Sequence, residues 1–204
     1  MIEEVEQFNL QLEQLPVRRL SQRILLAEPT YYDVEYIINP HMVGSVGSVD
    51  KRVALAQWQS LKAAYIGIGM DVSIIPAAPG FPDMVFIANQ SFPAYDVSGA
   101  RVMVMSRMFA EQRRGEVPLV ESFYAERGIT VRFLPGAEFF EGTGDALWYP
   151  NRALIVGGHG YRTSRAALAS LGRELDVPVV GLDLIDPRFY HLDTCLSFLT
   201  EQTA

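Results

Sequence analysis

A mixed helix-and-strand chain, α/β or α+β, assembled from repeated units is what this sequence predicts, and three observations carry that reading. Three amphipathic segments read as helices, short β-rich runs fill the stretches between them, and the helix starts recur at a nearly even spacing. With 204 residues, 49% hydrophobic and 20% charged, the chain is long enough for a single domain with a real core.

The first helix, "VDKRVALAQWQSLKAAYIG", opens with Asp50 placed to cap and sets Ala54, Trp58, Leu61 and Tyr65 in one apolar stripe, with Leu55 on its flank. The second, "SRMFAEQRRGEVPLVESFYAERG", starts near Met108; Gly115 and Pro118 break or kink it, and Gly128 is its C-cap. The third, "TSRAALASLGRELD", is capped by Thr163 or Ser164 and turns Ala167, Leu168, Leu171 and Leu175 inward. Between them, "RILLAEP", "VSIIPA", "DMVFIAN", "RVMVMS", "ITVRFLP", "ALWYP", "ALIVGG", "VPVVGLDLI" and "LDTCLSFL" read as strands, with "YPNRA" a turn. Helix starts near 51, 108 and 163 imply structural units of roughly 55 residues, drawn as 23–106, 107–158 and 159–204, each burying its face against its neighbours as in a propeller.

The formal net charge of −7, without clustered Lys and Arg, argues against nucleic acid and anionic membrane surfaces. The basic pair Arg113–Arg114 reads as a solvated helix face. No apolar run has the length of a membrane span, and the opening "MIEEVEQFNLQLEQL" is acidic where a secretory signal is basic, so a cytoplasmic location is expected. A single cysteine makes no internal disulfide. Three separated histidines (His41, His159, His191), with no CxxC or HExxH, give no metal signature, and no cofactor motif is present. His159 reads as a loop residue, and His41 with "VGSVGSV" as the rim of a flexible entrance loop.

Polar residues recur at one place in each unit. "FPDMVFIANQ", "FFEGTGDALW" and "FYHLDTCLSF" each follow a helix and interrupt an apolar run with Asp, Asn, Glu or His. In a ring of such units Asn89, Glu141, Asp145, His191 and Asp193 converge on a central cavity. A lining rich in carboxylates favours a cationic, hydrogen-bond-donating ligand, because ionised Asp and Glu only accept and pair well with guanidinium forks. Arg162, at a strand-to-helix junction, is placed to clamp a carboxylate at the ligand's other end, so arginine or a close relative fits. Two bland readings stand beside this one: His191 as a satisfied core histidine, and Glu141 to Asp145 as a tight turn with two solvated acids.

Five stretches in order, "YDVEYIINP", "PDMVFIANQ", "FEGTGDAL", "GYRT" and "DPRFYHLDTC", resemble the guanidine-modifying superfamily of the pentein fold, from about residue 23 onward. That superfamily holds arginine deiminases, dimethylarginine dimethylaminohydrolases, arginine dihydrolases and glycine amidinotransferases. The resemblance implies a pseudo-symmetric ββαβ propeller, here incomplete at its C-terminus, around an axial channel. It also implies a cysteine thiolate that attacks the guanidinium carbon, with no cofactor. On the same footing His191 is the general acid and base and Glu141 its orienting carboxylate. Asp145 and Asp193 grip guanidinium nitrogens, and Arg162 clamps the ligand carboxylate. Asn89, where deiminases usually carry Asp, together with Asn39, points toward the arginine-dihydrolase branch.

Cys195 does not fill the nucleophile's role. On a strand, residues 191, 193 and 195 share a face, but four residues at ~3.3 Å each put Cys195 roughly 13 Å from His191, so Cys195 reads as a small buried hydrophobe. Five units of about 55 residues exceed this chain, and the expectation is a truncated or divided protein. Two functions stay open: a hydrolase of arginine or methylated arginine whose nucleophile lies elsewhere, and a non-catalytic binding module or half of an assembly, with a homo-oligomer or partner chain closing the ring.

Overall fold

The computed structural model describes residues 1–2, 9–18, 21–96 and 98–204, so residues 3–8 of the acidic opening stretch lie outside the described residues. The elements run β1 (Arg23–Ala27), α1 (Lys51–Gly67), β2 (Asp71–Ile75), β3 (Ser91–Tyr95), β4 (Arg101–Met105) and α2 (Glu116–Ala125). They continue with β5 (Thr130–Phe133), α3 (Gly142–Asp145), β6 (Ala146–Trp148), β7 (Ile155–His159), α4 (Arg165–Leu175) and β8 (Val179–Asp183).

Among the described residues the strands form three separate sheets, β1-β2, β3-β4-β5 and β6-β7-β8. In the second, β3 is antiparallel to β4, and α2 carries the chain across to β5, parallel to β4. The third repeats this order with β6, β7, α4 and β8. A ββαβ unit therefore occurs twice, and β1-α1-β2 supplies the parallel half of the same plan. The sheets group residues 23–75, 91–133 and 146–183, and the second and third of these groups each open at a hairpin strand.

Asp50 caps α1 by accepting from the amides of Arg52 (2.9 Å) and Val53 (3.2 Å), and Ser164 caps α4 by accepting from Ala167 (3.2 Å). α4 buries Ala167, Leu168, Leu171 and Leu175 in one cluster with Phe92, Val104, Phe140 and Ile155. Full burial of Leu168 or Leu171 contributes roughly 2 kcal/mol each. A second cluster joins Ala27 and Ile75 of the first sheet to Met105, Met108 and α2 residues Val117, Val120 and Phe123.

Several expectations are corrected. α2 starts at Glu116, not near Met108, because a 3-10 turn at Glu111–Arg113 intervenes. Pro118 then lies in the first turn, where its missing N–H costs nothing. With helices starting at 51, 116 and 165, the even spacing disappears. α1 buries none of its residues: Val53 and Leu61 are each 47% exposed and Ile66 54%, since the two-stranded β1-β2 sheet offers little surface to cover them. β3 was hidden by Pro93, which an edge strand tolerates. "DMVFIAN" and "LDTCLSFL" are 3-10 turns, at Pro82–Val85, Ile87–Asn89 and Leu192–Thr194, and not strands. His159 is buried as the last residue of β7, its Nδ1 3.1 Å from Asp183, and is not in a loop.

Candidate functional site

The polar residues reach one place through helical turns. β2 leads into the turns at 82–89, β5 leads to α3, and β8 leads to the turn at 192–194. Asn89 ends the first, Glu141 and Asp145 bracket the second, and His191 opens the third. The turn in α3 requires glycine twice. Gly142 has φ +55°, and an added Cβ would sit 2.5 Å from the Ser91 carbonyl oxygen. A Cβ on Gly144 would lie 2.3 Å from Asn89 Nδ2 and 3.0 Å from His191 Nδ1, so only glycine lets these turns touch.

His191 is held between two carboxylates. Its Nε2 lies 3.0 Å from Glu141 Oε2 and its Nδ1 3.2 Å from Asp145 Oδ2. The second contact is an ion pair with poor hydrogen-bond alignment. Burial opposes charge on the ring, but Asp145 and then Glu141 outweigh it and raise the imidazolium's pKa to about 9. Burial likewise pushes the Glu141 carboxyl up, but His191 and Arg162 bring it below the usual carboxylate range. Glu141 is otherwise fully engaged, accepting from the Phe109 amide at 2.9 Å through Oε1 and from Arg162 Nη1 at 3.3 Å through Oε2.

The two carboxylates lie behind the ring. A cleft of about 1960 Å³ is lined by Asn39, Asp83, Asn89, Arg113, Arg162, Tyr190, His191 and Asp193, whereas Glu141 and Asp145 do not line it. Its volume exceeds the ~1,000 Å³ upper range of ordinary ligand pockets, because it runs on past the site along β1 toward Tyr95 and Trp148. Asp145, expected to grip guanidinium nitrogens, is turned to the back of His191 and accepts from the Leu192 amide at 3.1 Å. Asp193 does face the cleft and is exposed, and desolvation, together with the Asp145 carboxylate, raises its carboxyl to about 6 against the pull of His191.

Arg162 lies at the site but is buried, with Nη2 donating to the Ile38 carbonyl at 2.6 Å and its guanidinium 4.9 Å from the Tyr190 ring centroid. Asn39 lines the cleft at its rim, where its Oδ1 caps the turn at Pro40–Met42 by accepting from His41 N at 3.0 Å. Cys195 is exposed, not buried. The segment is a turn, so the extended-strand distance does not apply, but its Sγ points back to the carbonyls of Leu192 (3.4 Å) and His191 (3.9 Å). Burial and the nearby Asp193 and Asp145 raise its pKa, the opposite of what activates a thiolate.

Sequence reasoning missed a polar network below Asn89. Arg113, read as a solvated face, is only 3% exposed and forks onto Glu116 (Nη2 to Oε2, 2.9 Å), the Asp83 carbonyl (3.1 Å) and Asn89 Oδ1 (2.8 Å). The Asp83 carboxylate is buried beside Tyr36 with neither oxygen in a formed hydrogen bond. Burial raises its pKa, with Arg113 opposing. An Arg and a Glu three apart is also the ordinary pattern of a solvated helical face, so the local sequence carried no signal of this burial.

His191, clamped between two buried carboxylates, and the cleft-lining Asp83, Asp193, Arg113 and Arg162 are brought to one place by helical turns from successive units. No family model matches the chain. It is 40% identical over 173 residues to the bifunctional arginine dihydrolase/ornithine cyclodeaminase ArgZ of Synechocystis sp., covering 85% of this chain and 24% of that protein. It is 38% identical over 193 residues to the N(G),N(G)-dimethylarginine dimethylaminohydrolase of Mycobacterium tuberculosis, covering 92% of this chain and 60% of that one. The crystal structure of the substrate-bound N-terminal domain of an ArgZ mutant superposes with TM-score 0.78 at 39% identity, over 85% of this chain and 62% of that one. A dimethylarginine dimethylaminohydrolase structure, at TM-score 0.64 and 22% identity over 81% of this chain and 62% of that one, shares the fold. The chain belongs to the guanidine-modifying superfamily and has the pentein fold. It spans about a quarter of the bifunctional relative and three-fifths of the dimethylarginine hydrolase. No helix among the described residues is long and apolar enough to cross a membrane.

Proposed function

We propose that this chain carries the binding and acid–base half of a hydrolase acting on the guanidinium group of arginine or a methylated arginine. The observation that carries it is His191 held by Glu141 at 3.0 Å at the wall of a cleft that Asp83 and Asp193 also line. His191 moves the protons, and Glu141 fixes the ring. Asp193 pairs with guanidinium N–H groups, and Asp83, with its unpaired carboxylate oxygens, suits a second ligand cation such as an α-ammonium. Arg162 has N–H donors left over from Glu141 and Ile38 with which to meet a carboxylate. Similarity to arginine dihydrolases and a dimethylarginine hydrolase supports this ligand class. Asn39 and Asn89 favour the dihydrolase branch. The attacking thiolate comes from outside these 204 residues, because Cys195, the sole cysteine, faces backbone carbonyls.

Calorimetric titration with L-arginine tests the binding half. Saturable binding at millimolar concentration, weakened by Asp193→Asn and untouched by Cys195→Ala, is expected. Absence of binding, or turnover that requires Cys195, overturns the reading.

A second reading has its own observation. The apolar flank of α1, including Val53, Leu55, Leu61 and Ile66, is uncovered, which favours a chain that works inside an assembly, as a homo-oligomer or with a partner chain. Sedimentation of a folded monomer at micromolar concentration would count against it.

A further inference from the structure

We propose that Arg113 is a positioning residue that sets which end of the Asn89 amide faces the site, and so makes this corner recognise a hydrogen-bond acceptor on the ligand, such as a ureido oxygen. The inference rests on the guanidinium-site reading above.

Arg113 can only donate, so the Asn89 atom 2.8 Å from its Nη1 is the carbonyl oxygen. The Asn89 nitrogen is then turned the other way, 3.5 Å from His191 Nε2 and against the backbone of Gly144. The backbone at Asn89 is pinned as well, since its carbonyl accepts from Ser106 Oγ at 2.6 Å. Arg113 itself has no freedom. Its Nε and Nη2 lie on Glu116, its Nη2 also reaches the Asp83 and Phe86 carbonyls, and Glu116 is 0% exposed and held from its far side by Gln90 Nε2.

The consequence lies in the sign of the hydrogen bond offered. His191 Nε2 is already 3.0 Å from Glu141, so a charged ring has no lone pair for Asn89. The Asn89 N–H groups therefore await an acceptor from the cleft. An aspartate at 89 would offer an acceptor on both sides, suited to the N–H edge of a guanidinium. An asparagine locked by Arg113 offers a donor, suited to the oxygen that replaces a guanidinium nitrogen when it is hydrolysed. Without Arg113 the amide is free to flip, and the distinction is lost.

NMR on the 204-residue protein tests this without requiring turnover. The Gly144 Hα that occupies the Cβ direction points at Asn89 Nδ2, so a strong NOE from the Asn89 side-chain amide protons to Gly144 Hα reports the locked orientation. Arg113→Met alone strands Glu116, so the paired variant R113M/E116L removes both charges, and R113K keeps a point donor. The NOE is expected in the wild type, weaker in R113K, and reduced at least threefold in R113M/E116L with the remaining amide spectrum preserved. The ratio of L-citrulline to L-arginine affinity should move about tenfold toward arginine in the paired variant. An NOE absent from the wild type, or undiminished in R113M/E116L, overturns the positioning role. A lost NOE with an unmoved affinity ratio overturns the role in recognition. If the wild type binds neither amino acid, the guanidinium reading fails, and the NOE alone decides what Arg113 does.

Discussion

Asp145 holds the His191 segment at two points. One carboxylate oxygen stands 3.2 Å from the ring Nδ1, and the other accepts the backbone amide of Leu192 at 3.1 Å. Ring charge and turn geometry therefore depend on one side chain. Asp145→Asn should bring the His191 pKa down toward the ordinary range and cost about 1–3 kcal/mol of stability, read by imidazole NMR titration and urea unfolding. An unchanged titration would separate Asp145 from the ring.

The pH dependence has a definite sign. His191 has a folded pKa of about 9, above its unfolded value near 6.5, so its contribution is complete below about pH 6.5 and is lost as pH rises through about 9. Unfolding free energy should fall between pH 7 and 10 in the wild type, and fall less in His191→Gln. Parallel curves for the two proteins would refute it.

Gly144→Ala inserts a methyl group 2.3 Å from Asn89 Nδ2 and 3.0 Å from His191 Nδ1. Overpacking of about 1–3 kcal/mol is expected, together with loss of L-arginine binding and preserved far-UV circular dichroism. Binding at wild-type affinity would show that the turns can separate without harm to the site.

Arg162→Ala removes the guanidinium that faces buried Glu141 and the Ile38 carbonyl. It should lower stability by about 3–5 kcal/mol, since it leaves Glu141 with one fewer partner, and weaken arginine more than agmatine, which lacks the carboxylate. Equal losses for the two ligands would remove the carboxylate-clamp role.

α1 makes the opposite prediction. Leu61→Glu, at a side chain 47% exposed, should change stability by no more than about 0.5 kcal/mol and reduce any self-association seen in sedimentation. A large loss of stability would mean that the helix face is covered in solution.

By itself the sequence determined the local features and the candidate chemistry. The caps at Asp50 and Ser164, the inward stripe of α4, most strands and the recurring positions of Asn89, Glu141, Asp145 and His191 were all legible. Periodicity and capping arise from interactions within about one helical turn, and such interactions are written in consecutive residues. The tertiary structure decided what those positions became. Pro93 concealed an edge strand, and the polar runs became short helical turns held by side chains far along the chain. Asp145 reaches Leu192 across 47 residues, and Asn89 approaches His191 across 102. Contacts at that separation leave no local periodicity, so the burial of Arg113, the exposure of α1 and the withdrawal of Asp145 behind His191 were set only when the units packed together.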